Sequence, residues 1–529
     1  MEFEIIEIFN RSVTIEVDSG YKYRSKNSFK VYINGELRAE KKENVISISS
    51  LTPDTVYLIT IEDSNKNRCE KSFRTLEESV LLDVSKFGAV ADGNYDDTAP
   101  IQAAILACPP KGTVYFPRGT YLSRPIFLKS NITLYLDEEA VIMGFPEREK
   151  YPILPGMVQR TDESDEYNIA SWEGNPLSSF ASLITGIEVH DVDIIGGGCI
   201  DGNASNGDWW VNPKVKRGAW RPNIVFLCKC HDIRVQNVLI TNSPGWTVHP
   251  YYSDHLKFMN IIIENPYNSP NTDGFDPESC TDVSLIGSRI SVGDDCVAIK
   301  SGKYYMSRYH FKRTKGINIR NCFFERGHGS VTIGSEMACG VDGVSVSNCV
   351  FKGTDRGIRL KTRRGRGKRG VIDNLRFENI EMADVMMPLT VNMFYYCDPD
   401  GHSDYVQDQE RYPVDERTPK IGTITVKDVD CTGANASFAC CYGLPEQPIE
   451  GLEFSNVNVS FLPESELHPV CPIMMDNFPE LKGKSFFLKN VKKVILNNVN
   501  IQGSIEEAEF INTDVNGEVV YEDSKARAV

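Results

Sequence analysis

One short phrase recurs through most of this chain and restricts its fold more than any other feature. Apolar residues alternate with polar ones, and an Asn followed by a further apolar residue closes the phrase. It occupies residues 233–238, 256–261, 317–322, 344–349, 375–380, 452–457 and 494–499, and two degenerate copies carry Gly287 and Asp428 in the Asn position. Neighbouring copies begin 23 to 49 residues apart. Such a repeat predicts a solenoid whose coils share one core size and carry loops of variable length.

The period of the repeat decides which solenoid is expected. Alternation with a period of two, in units rich in Val, Ile and Asn, favours β-strands over paired helices. We therefore predict an all-β fold, a parallel β-helix in which successive coils stack about 4.8 Å apart. Asn at one place in each coil would form an internal ladder of side-chain amides. A β-propeller is the competing architecture, but its blades would need a regular spacing of about 40–50 residues.

The first part of the chain follows a different pattern. Short alternating strands and the turn signal Asn34-Gly35 predict a small antiparallel unit. The run Leu-Thr-Pro-Asp-Thr-Val-Tyr at 51–57 resembles a run of fibronectin type III β-sandwiches. We predict a fibronectin type III-like domain over residues 1–79 and a parallel β-helix domain over 80–529. A short helix over about 98–108, capped by Asp97 or Thr98, is expected to close the open end of the solenoid.

Composition excludes several classes of protein. The net charge of −16 argues against a dedicated nucleic-acid binder, and no apolar run reaches the roughly 18 residues that would span a membrane. The fifteen cysteines are scattered and are expected to be buried free thiols. The first residues lack the pattern of a secretory leader, so we expect a reducing cytosol, or secretion if a leader has been removed. The oligomeric state is left open.

Four clusters of polar residues follow one another at intervals that fit successive coils. They are Asn-Thr-Asp-Gly at 271–274, Gly-Asp-Asp-Cys at 293–296, Arg-Gly-His-Gly at 326–329 and Arg-Leu-Lys at 359–361. Asp273 and Asp294 lie 21 residues apart, and His328 and Arg359 follow after 34 and 31 residues. If each interval is one coil, the clusters stack on one face within about 15 Å.

This set of residues suits acid–base chemistry on an anionic sugar. Glycoside hydrolysis needs one protonated and one ionised carboxyl group, and crowding of like charges raises the pKa of one of them. Glycines beside the Asp and His residues are expected to leave room for a sugar. Strand alternation would direct Asp294 and Asp295 to opposite faces unless the strand bends or ends there. Asp276 and Glu278 are expected at a turn or on the surface.

A basic segment adjoins the last cluster. Residues 356–369 contain eight cations, including Arg363, in an otherwise acidic chain. We expect this segment to face a polyanion that carries carboxylates, because Arg forks suit carboxylate geometry, and a solvated flexible loop is the alternative. Nucleic acid is a poorer partner, since no aromatic residues are interleaved with these cations.

The four clusters, in this order and spacing, resemble the motifs of glycoside hydrolase family 28, the polygalacturonase family. The runs Phe-Gly-Ala-x-x-Asp-Gly at 87–93 and Gly-Thr-Val-Tyr-Phe-Pro at 112–117 also resemble the start of the family's domain. The likeness covers about residues 81–510. It implies a right-handed β-helix and an inverting hydrolase of pectic galacturonides that uses no metal or other cofactor.

The resemblance also implies roles for individual residues. Asp294 would protonate the glycosidic oxygen, and Asp273 and Asp295 would position and deprotonate the attacking water. His328 would hold the carboxyl groups in their working protonation state. The substrate-binding residues that follow from the resemblance and from the basic segment are Arg359, Lys361, Asn271, Tyr395 and Arg363.

The expected reaction is hydrolysis of α-1,4-galacturonide links, in exo mode from the non-reducing end. Exo action is expected because long segments over 145–185 and 393–418 could close one end of the groove. The added N-terminal domain also resembles the layout of bacterial exo-acting members of the family. An endo-polygalacturonase and a rhamnogalacturonan or xylogalacturonan hydrolase are alternatives. A pectate lyase would need Ca²⁺ held by carboxylates, and a pectin-binding solenoid is the non-enzymatic alternative.

Overall fold

A right-handed parallel β-helix makes up most of the molecule. The computed structural model describes residues 2–159 and 166–522. Strands of successive coils pair in parallel, and two small antiparallel sheets precede them. The predicted fold class, a parallel β-helix with a small N-terminal β-sandwich, is confirmed.

The N-terminal unit has two sheets around a core of its own. Phe3, Val31 and Ile61 are among the apolar residues buried between the sheets. The Tyr57 hydroxyl accepts a hydrogen bond of 2.9 Å from the backbone of Thr52, which fixes the corner that the 51–57 run predicts. One sheet contains Glu2–Ile8, Val13–Asp18 and Val45–Ile48, and the other contains Arg24–Ile33, Glu36–Glu43, Val56–Glu62 and Arg68–Arg74.

The back of the solenoid is one continuous sheet of 25 strands. Each coil contributes two strands, or one longer strand that turns the corner, and their inward side chains form the main core. The strands are Leu81–Asp83, Asp92–Asp96, Gly112–Phe116, Gly119–Ser123, Ile132–Leu136, Ala140–Gly144, His190–Gly196, Cys199–Asp201, His231–Gln236, Leu239–Thr241, Asp254–Met259, Ile262–Glu264, Thr281–Ile286, Arg289–Ser291, Thr314–Arg320, Phe323–Gly327, Val341–Ser347, Val350–Thr354, Val371–Ala383, Lys420–Ile421, Thr423–Ala434, Gly451–Phe461, Val494–Gln502, Val515–Asn516 and Val519–Glu522.

A second face, here called the site face, carries shorter strands that also pair from coil to coil. Its first four strands and its last seven form separate sheets, which Phe275 joins by single bridges to Val248 and Val297. The strands are Ile126–Phe127, Ile184–Ile187, Val225–Cys228 and Val248–Tyr251, followed by Asp295–Ile299, Gly329–Ile333, Arg356–Lys361, Met387–Asn392, Ser437–Tyr442, Lys484–Lys489 and Glu509–Ile511.

Short helices and hairpins occupy the end and the loops of the solenoid. The helix Thr98–Ala107 covers the first coil with Ile101 and Ile105 buried, as predicted. Asp97 stands at its N-cap, but its carboxylate accepts hydrogen bonds from the backbone of Val90 and Ala91 instead of capping the helix. The other helical segments are Tyr304–Tyr309, Asp404–Gln407, Val84–Phe87, Arg148–Lys150 and Ala204–Asn206, and the hairpin strands are Ile153–Leu154, Met157–Gln159, Glu166–Asn168 and Ser179–Phe180.

The Asn position of the repeat marks a corner of each coil. All nine residues at this position, including Gly287 and Asp428, have a φ between 51° and 64°. Asn, Gly and Asp tolerate this left-handed conformation better than other residues do, which explains the substitutions. Side-chain amides do bond from coil to coil, as between Asn260 and Asn237 at 3.2 Å. Most of these residues are half-buried or exposed, so the predicted ladder exists but is not internal.

The N-terminal unit packs against the back of the solenoid through a shared apolar cluster. Phe9 and Val45 meet Ile195, Met259 and Ile286 of the solenoid, and all five are at most 4% exposed. Polar contacts surround this cluster. They include ion pairs between Arg234 and Glu7 and between Arg320 and Glu16, and hydrogen bonds from Gln236 to Thr14 and from Asn44 to Asn321.

Two further expectations concern the chain as a whole. Within residues 2–159 and 166–522 we find no helix whose length and apolar character would allow it to cross a membrane. All fifteen cysteines are free thiols, and most of them are buried, as expected.

Candidate active site

The predicted clusters come together on the site face. In the coil-to-coil register, Asp295 pairs with Gly329 and so brings His328 beside the turn that precedes Asp295. Asp273 lies two residues before Phe275, which bridges the neighbouring coils. The clusters of successive coils therefore lie side by side, as their spacing predicts.

Three carboxyl groups form the centre of the site. Carboxylate oxygens of Asp273, Asp294 and Asp295 all lie within 4.8 Å of one another. The strand begins at Asp295, so Asp294 stands in the turn before it and is not subject to strand alternation. Both side chains therefore reach the same space, and the orientation problem raised by the sequence disappears.

Asp295 is the most deeply buried of the three and is held by two cations. Lys361 Nζ lies 2.9 Å from its Oδ2, and a terminal nitrogen of Arg359 lies 3.1 Å from its Oδ1. Burial alone would raise the pKa of Asp295, but the charges of Lys361 and Arg359 outweigh it and hold that pKa well below its usual range. Asp295 is therefore ionised at neutral pH.

Asp294 is the most accessible carboxyl group, with 21% of its side chain exposed. His328 Nδ1 lies 3.3 Å from its Oδ1, and the backbone N–H of His328 donates to the Asp294 carbonyl over 2.9 Å. Burial opposes ionisation, yet the hydrogen bond from His328 lowers the pKa of Asp294. The same hydrogen bond raises the pKa of His328. These shifts favour an Asp294–His328 ion pair in the free protein.

Asp273 holds the proton of the cluster in the free protein. Its side chain is 6% exposed, and burial together with the negative charge of Asp294 raises its pKa to about 7. Lys300, with Nζ 3.6 Å from Oδ2, opposes this shift. Below pH 7 the three carboxyl groups therefore carry about one proton between them, and the cluster loses it as the pH rises through about 7.

Two of the predicted substrate-binding residues lie at the rim of this cluster. Tyr395 is almost fully buried, lines a small cavity together with Arg359, and has its ring centre 5.5 Å from Lys361 Nζ. Asn271 has a φ of 55°, and its Oδ1 accepts a hydrogen bond of 2.7 Å from Arg221. Both positions are compatible with contact to a bound sugar.

The basic segment differs from what the sequence predicts. Arg363, expected to bind substrate, instead pairs with acidic residues of the protein. The Arg363 guanidinium is buried in ion pairs with Asp398 and Asp400, at 3.0 and 2.6 Å. Arg366 also pairs with Asp398, at 2.8 Å, and Arg364 pairs with Glu446, at 2.6 Å. Acidic residues of the following loops thus neutralise these arginines. The segment neither forms a flexible loop nor presents these three side chains to a substrate.

Two carboxyl groups expected at a turn or on the surface are fully buried. Lys300 Nζ lies 3.6 Å from Asp276 Oδ1 and the same distance from Asp273 Oδ2. Glu278 lies 2.9 Å from Nε2 of the equally buried His249. Asp276 and Glu278 belong to the coil that bridges the two site-face sheets, and the sequence pattern did not indicate their burial.

The glycines of the motifs make room for neighbouring coils. A Cβ atom on Gly293 would come within 2.3 Å of the Ser269 carbonyl oxygen, and one on Gly274 within 2.5 Å of the Cys296 carbonyl oxygen. Real Cβ atoms do not approach this closely. These two glycines are therefore required by the packing around the carboxyl groups.

Lys300 and Glu336 belong to the site although no motif contains them. Lys300 Nζ lies 3.4 Å from Glu336 Oε2 and 4.1 Å from the ring centre of Trp246. One signal for Lys300 was available in the sequence. Lys300 directly follows the apolar run 296–299, which predicts a buried position. A buried Lys needs a carboxylate partner.

Comparison with known proteins identifies the family. The profile of Glycosyl hydrolases family 28 matches residues 162–469, which include the whole carboxyl cluster and more than half of the chain. The chain belongs to glycosyl hydrolase family 28. It is therefore a glycosidase. A second profile, Rhamnogalacturonase A/epimerase, pectate lyase-like, matches residues 81–141 of this family 28 protein.

Curated relatives of this glycosidase differ in their stated mode of action. A probable polygalacturonase of Vitis vinifera is 30% identical and covers 78% of this chain and 83% of its own length. An endo-polygalacturonase of Pectobacterium carotovorum subsp. carotovorum is 29% identical, over 56% of this chain and 72% of its own.

Solved structures extend the likeness to the whole chain. The family 28 exopolygalacturonase of Yersinia enterocolitica aligns over 99% of this chain and 98% of its own with a TM-score of 0.70, at 17% identity. This likeness concerns the fold alone. The hyperthermoactive exopolygalacturonase of Thermotoga maritima aligns over 83% of this chain and 92% of its own with a TM-score of 0.64, at 25% identity.

Proposed function

We propose that this glycosidase hydrolyses α-1,4-galacturonide links of pectic chains. The observation that carries the proposal is the pair of cations beside the carboxyl cluster. Arg359 and Lys361 each use one hydrogen-bond donor on Asp295, and further donors of both remain for a carboxylate of the substrate. Asp295 supplies one negative charge for these two buried cations, so a neutral sugar would leave one positive charge uncompensated, whereas a galacturonate supplies a second carboxylate.

We propose a single displacement, as the likeness to the motifs of the family implies. Asp294, the most accessible carboxyl group, protonates the departing glycosidic oxygen. Asp273 and Asp295 orient a water molecule, and Asp273 takes its proton as the oxygen attacks the anomeric carbon. The C–O bond to the leaving sugar breaks while the bond to water forms, so the configuration inverts.

The proton balance of this scheme agrees with the free protein. The cluster carries one exchangeable proton, and coupled groups titrate as one system. The proton resides on Asp273 before substrate binds, whereas the reacting state needs it on Asp294. The two states contain the same number of protons and differ only in its position, so substrate binding needs only to move it.

We further propose exo action from the non-reducing end. The turn around Gly174 packs directly on the site, since a Cβ at Gly174 would lie 2.7 Å from Cγ of Glu336. Trp172, beside this turn, stacks on Trp220 with ring centres 4.8 Å apart and an interplanar angle of 4°. This rigid wall, within the predicted 145–185 segment, would stop a long chain from passing through the groove. Residues 160–165 of that segment lie outside the described residues.

Residues in and around the other predicted loop also reach the site. Tyr395 belongs to the 393–418 segment, and Asn392 Nδ2 donates to the Met474 carbonyl over 2.9 Å. Met474 Sδ lies 3.6 Å from a guanidinium nitrogen of Arg359. Segments around residues 174, 395 and 474 thus border the residues of the site, which suits a short stretch of substrate better than a long one.

Exo action makes a testable prediction about polygalacturonate. The viscosity of the polymer should fall slowly relative to the release of reducing ends, and mono- or digalacturonate should be the product from the first minutes. Viscometry and reducing-end assays on one reaction, with chromatography of early products, measure this. A rapid loss of viscosity with a ladder of intermediate oligomers would establish endo action, and activity confined to rhamnose-containing pectin would contradict the proposed substrate.

Replacement of Lys361 by Ala tests substrate recognition. We expect kcat/KM on trigalacturonate to fall by about a hundredfold or more, because a buried carboxylate contact is lost from both the bound and the transition state. The fold should survive, since Arg359 still pairs with Asp295. Lys368→Ala is the matched control, because it removes the same charge from the same segment at an exposed ion pair with Glu416. Equal kinetics of the two variants would refute the role of Lys361.

A further inference from the structure

A second group of ionisable residues adjoins the carboxyl cluster at Asp273. Lys300 is its centre, and three carboxyl groups face the Lys300 ammonium. Asp273 and Asp276 each lie 3.6 Å from Nζ, and Glu336 lies 3.4 Å from it. The Trp246 ring covers the remaining side. All of these side chains are buried or nearly so.

One buried cation cannot hold three buried carboxylates in the ionised form. Glu336 has additional support, because Lys303 and Arg366 also act on it. Burial would raise its pKa, but Lys300 and these two cations lower it to about 2. Glu336 is therefore an anion. Glu336 already balances part of the positive charge of Lys300. The rest of that charge cannot neutralise both Asp273 and Asp276.

Asp276 is the group that stays neutral. Among the residues that the structure describes, neither of its carboxylate oxygens accepts a hydrogen bond. A buried carboxylate without donors is strongly disfavoured, so the protonated form prevails. Burial and the charge of Asp273 accordingly raise the pKa of Asp276 well above its usual value. Because neutral Asp276 does not compete for the positive charge of Lys300, that charge acts mainly on Asp273.

We propose that Lys300 is a positioning residue that drives the shared proton from Asp273 to Asp294, and that Asp276 allows this by remaining protonated. The proposal rests on the function proposed above. The charged or titratable groups that act on Asp273 are Asp294, Asp295, Asp276, Lys300, Lys361 and Arg221. Among the described residues, Lys300 is the cation that lies within ion-pair distance of Asp273, at 3.6 Å. It stabilises ionised Asp273 and so increases the fraction of protein whose proton is on the acid, Asp294.

The positions of Lys300 and Asp276 determine the direction in which each substitution should shift the pH dependence. A cation lowers the pKa of a neighbouring carboxyl group, so its removal raises that pKa. The state with one proton on the cluster would then persist to higher pH, and the alkaline limb of kcat/KM would move upward. Within that state the proton would reside more firmly on Asp273. When the pKa of Asp273 rises by one relative to that of Asp294, the population of the reactive arrangement falls about tenfold.

Two substitutions separate this role from a purely structural one. Lys300→Met should lower kcat on trigalacturonate about tenfold or more and move the alkaline limb upward by about one pH unit, with Lys300→Arg restoring part of both. Asp276→Asn mimics the protonated acid and should leave the position of the limb unchanged. If Asp276 were ionised, the same substitution would remove a negative charge and move the limb downward. Lys312→Met, at an ion pair with Asp254 away from the site, is the control.

A titration independent of activity completes the test. Carboxyl groups are followed by infrared or ¹³C spectroscopy in the wild-type protein and in Lys300→Met, with Asp273→Asn used to assign the signal. A carboxyl group that titrates near pH 7 and moves upward in Lys300→Met supports the proposal. An unmoved signal or an unmoved alkaline limb overturns it. If the wild-type protein failed to hydrolyse galacturonides, the proposed function would fall, while this titration would still decide the role of Lys300.

Discussion

Asp294→Asn should lower turnover of trigalacturonate by about three orders of magnitude. The amide keeps the shape of the side chain but cannot release a proton to the departing oxygen, and a general acid contributes roughly 10²- to 10⁴-fold. The protein should remain folded, because Asp294 is the most exposed of the three carboxyl groups and the backbone bond between His328 and Asp294 remains. Steady-state kinetics and thermal unfolding measure the two effects separately.

The leaving group supplies the control for this prediction. An aryl galacturonide with a nitrophenolate leaving group needs little or no protonation, so Asp294→Asn should retain much of its activity on that substrate. Asp273→Asn should lose activity on both substrates, because the attacking water is then no longer deprotonated. The comparison distinguishes acid from base even though the free protein keeps its proton on Asp273. Retention of more than about a tenth of the turnover on trigalacturonate would remove Asp294 from the role of acid.

The arrangement of the carboxyl cluster could be predicted from the sequence because every coil of the solenoid has a similar core size. Coils of similar core size place residues 21 to 34 positions apart on neighbouring strands, so spacing alone brought Asp273, Asp294 and His328 together. The exact start of a strand is not encoded in such a pattern. For that reason the sequence could not establish that Asp295 begins its strand and that Asp294 stands outside it.

The sequence did not show which of the charged residues are buried. Asp276 and Arg363 carry residue types that are usually exposed, and each is buried because a partner distant in the chain neutralises it or because it is protonated. Asp398, the partner of Arg363, lies in a loop whose path no repeat specifies. The same limitation affected the Asn corner, where the residue type reflects a left-handed backbone conformation and not burial inside the coil.

Removal of residues 1–77 should yield a chain that aggregates or unfolds at a markedly lower temperature. The N-terminal unit has a core of its own, and from the sequence the solenoid would be expected to fold without it. The apolar cluster shared by the N-terminal unit and the solenoid indicates that the solenoid depends on this unit. Ile195, Met259 and Ile286 are at most 4% exposed in the whole protein and would face water after truncation. Exposure of three such side chains costs about 5 kcal/mol, comparable with the total stability of many domains.

A matched variant separates loss of this cluster from loss of the domain as such. The truncated chain with Ile195, Met259 and Ile286 replaced by Thr, Gln and Thr should regain solubility, because polar side chains suit the exposed back sheet and β-branched Thr retains strand propensity. Light scattering and thermal unfolding of the two truncated proteins provide the comparison. These positions are on the back sheet and not on the site face, so the rescued protein should also hydrolyse trigalacturonate with nearly unchanged kinetics. A soluble, monomeric truncated chain that unfolds at the temperature of the whole protein would show that the N-terminal unit contributes nothing to the stability of the solenoid.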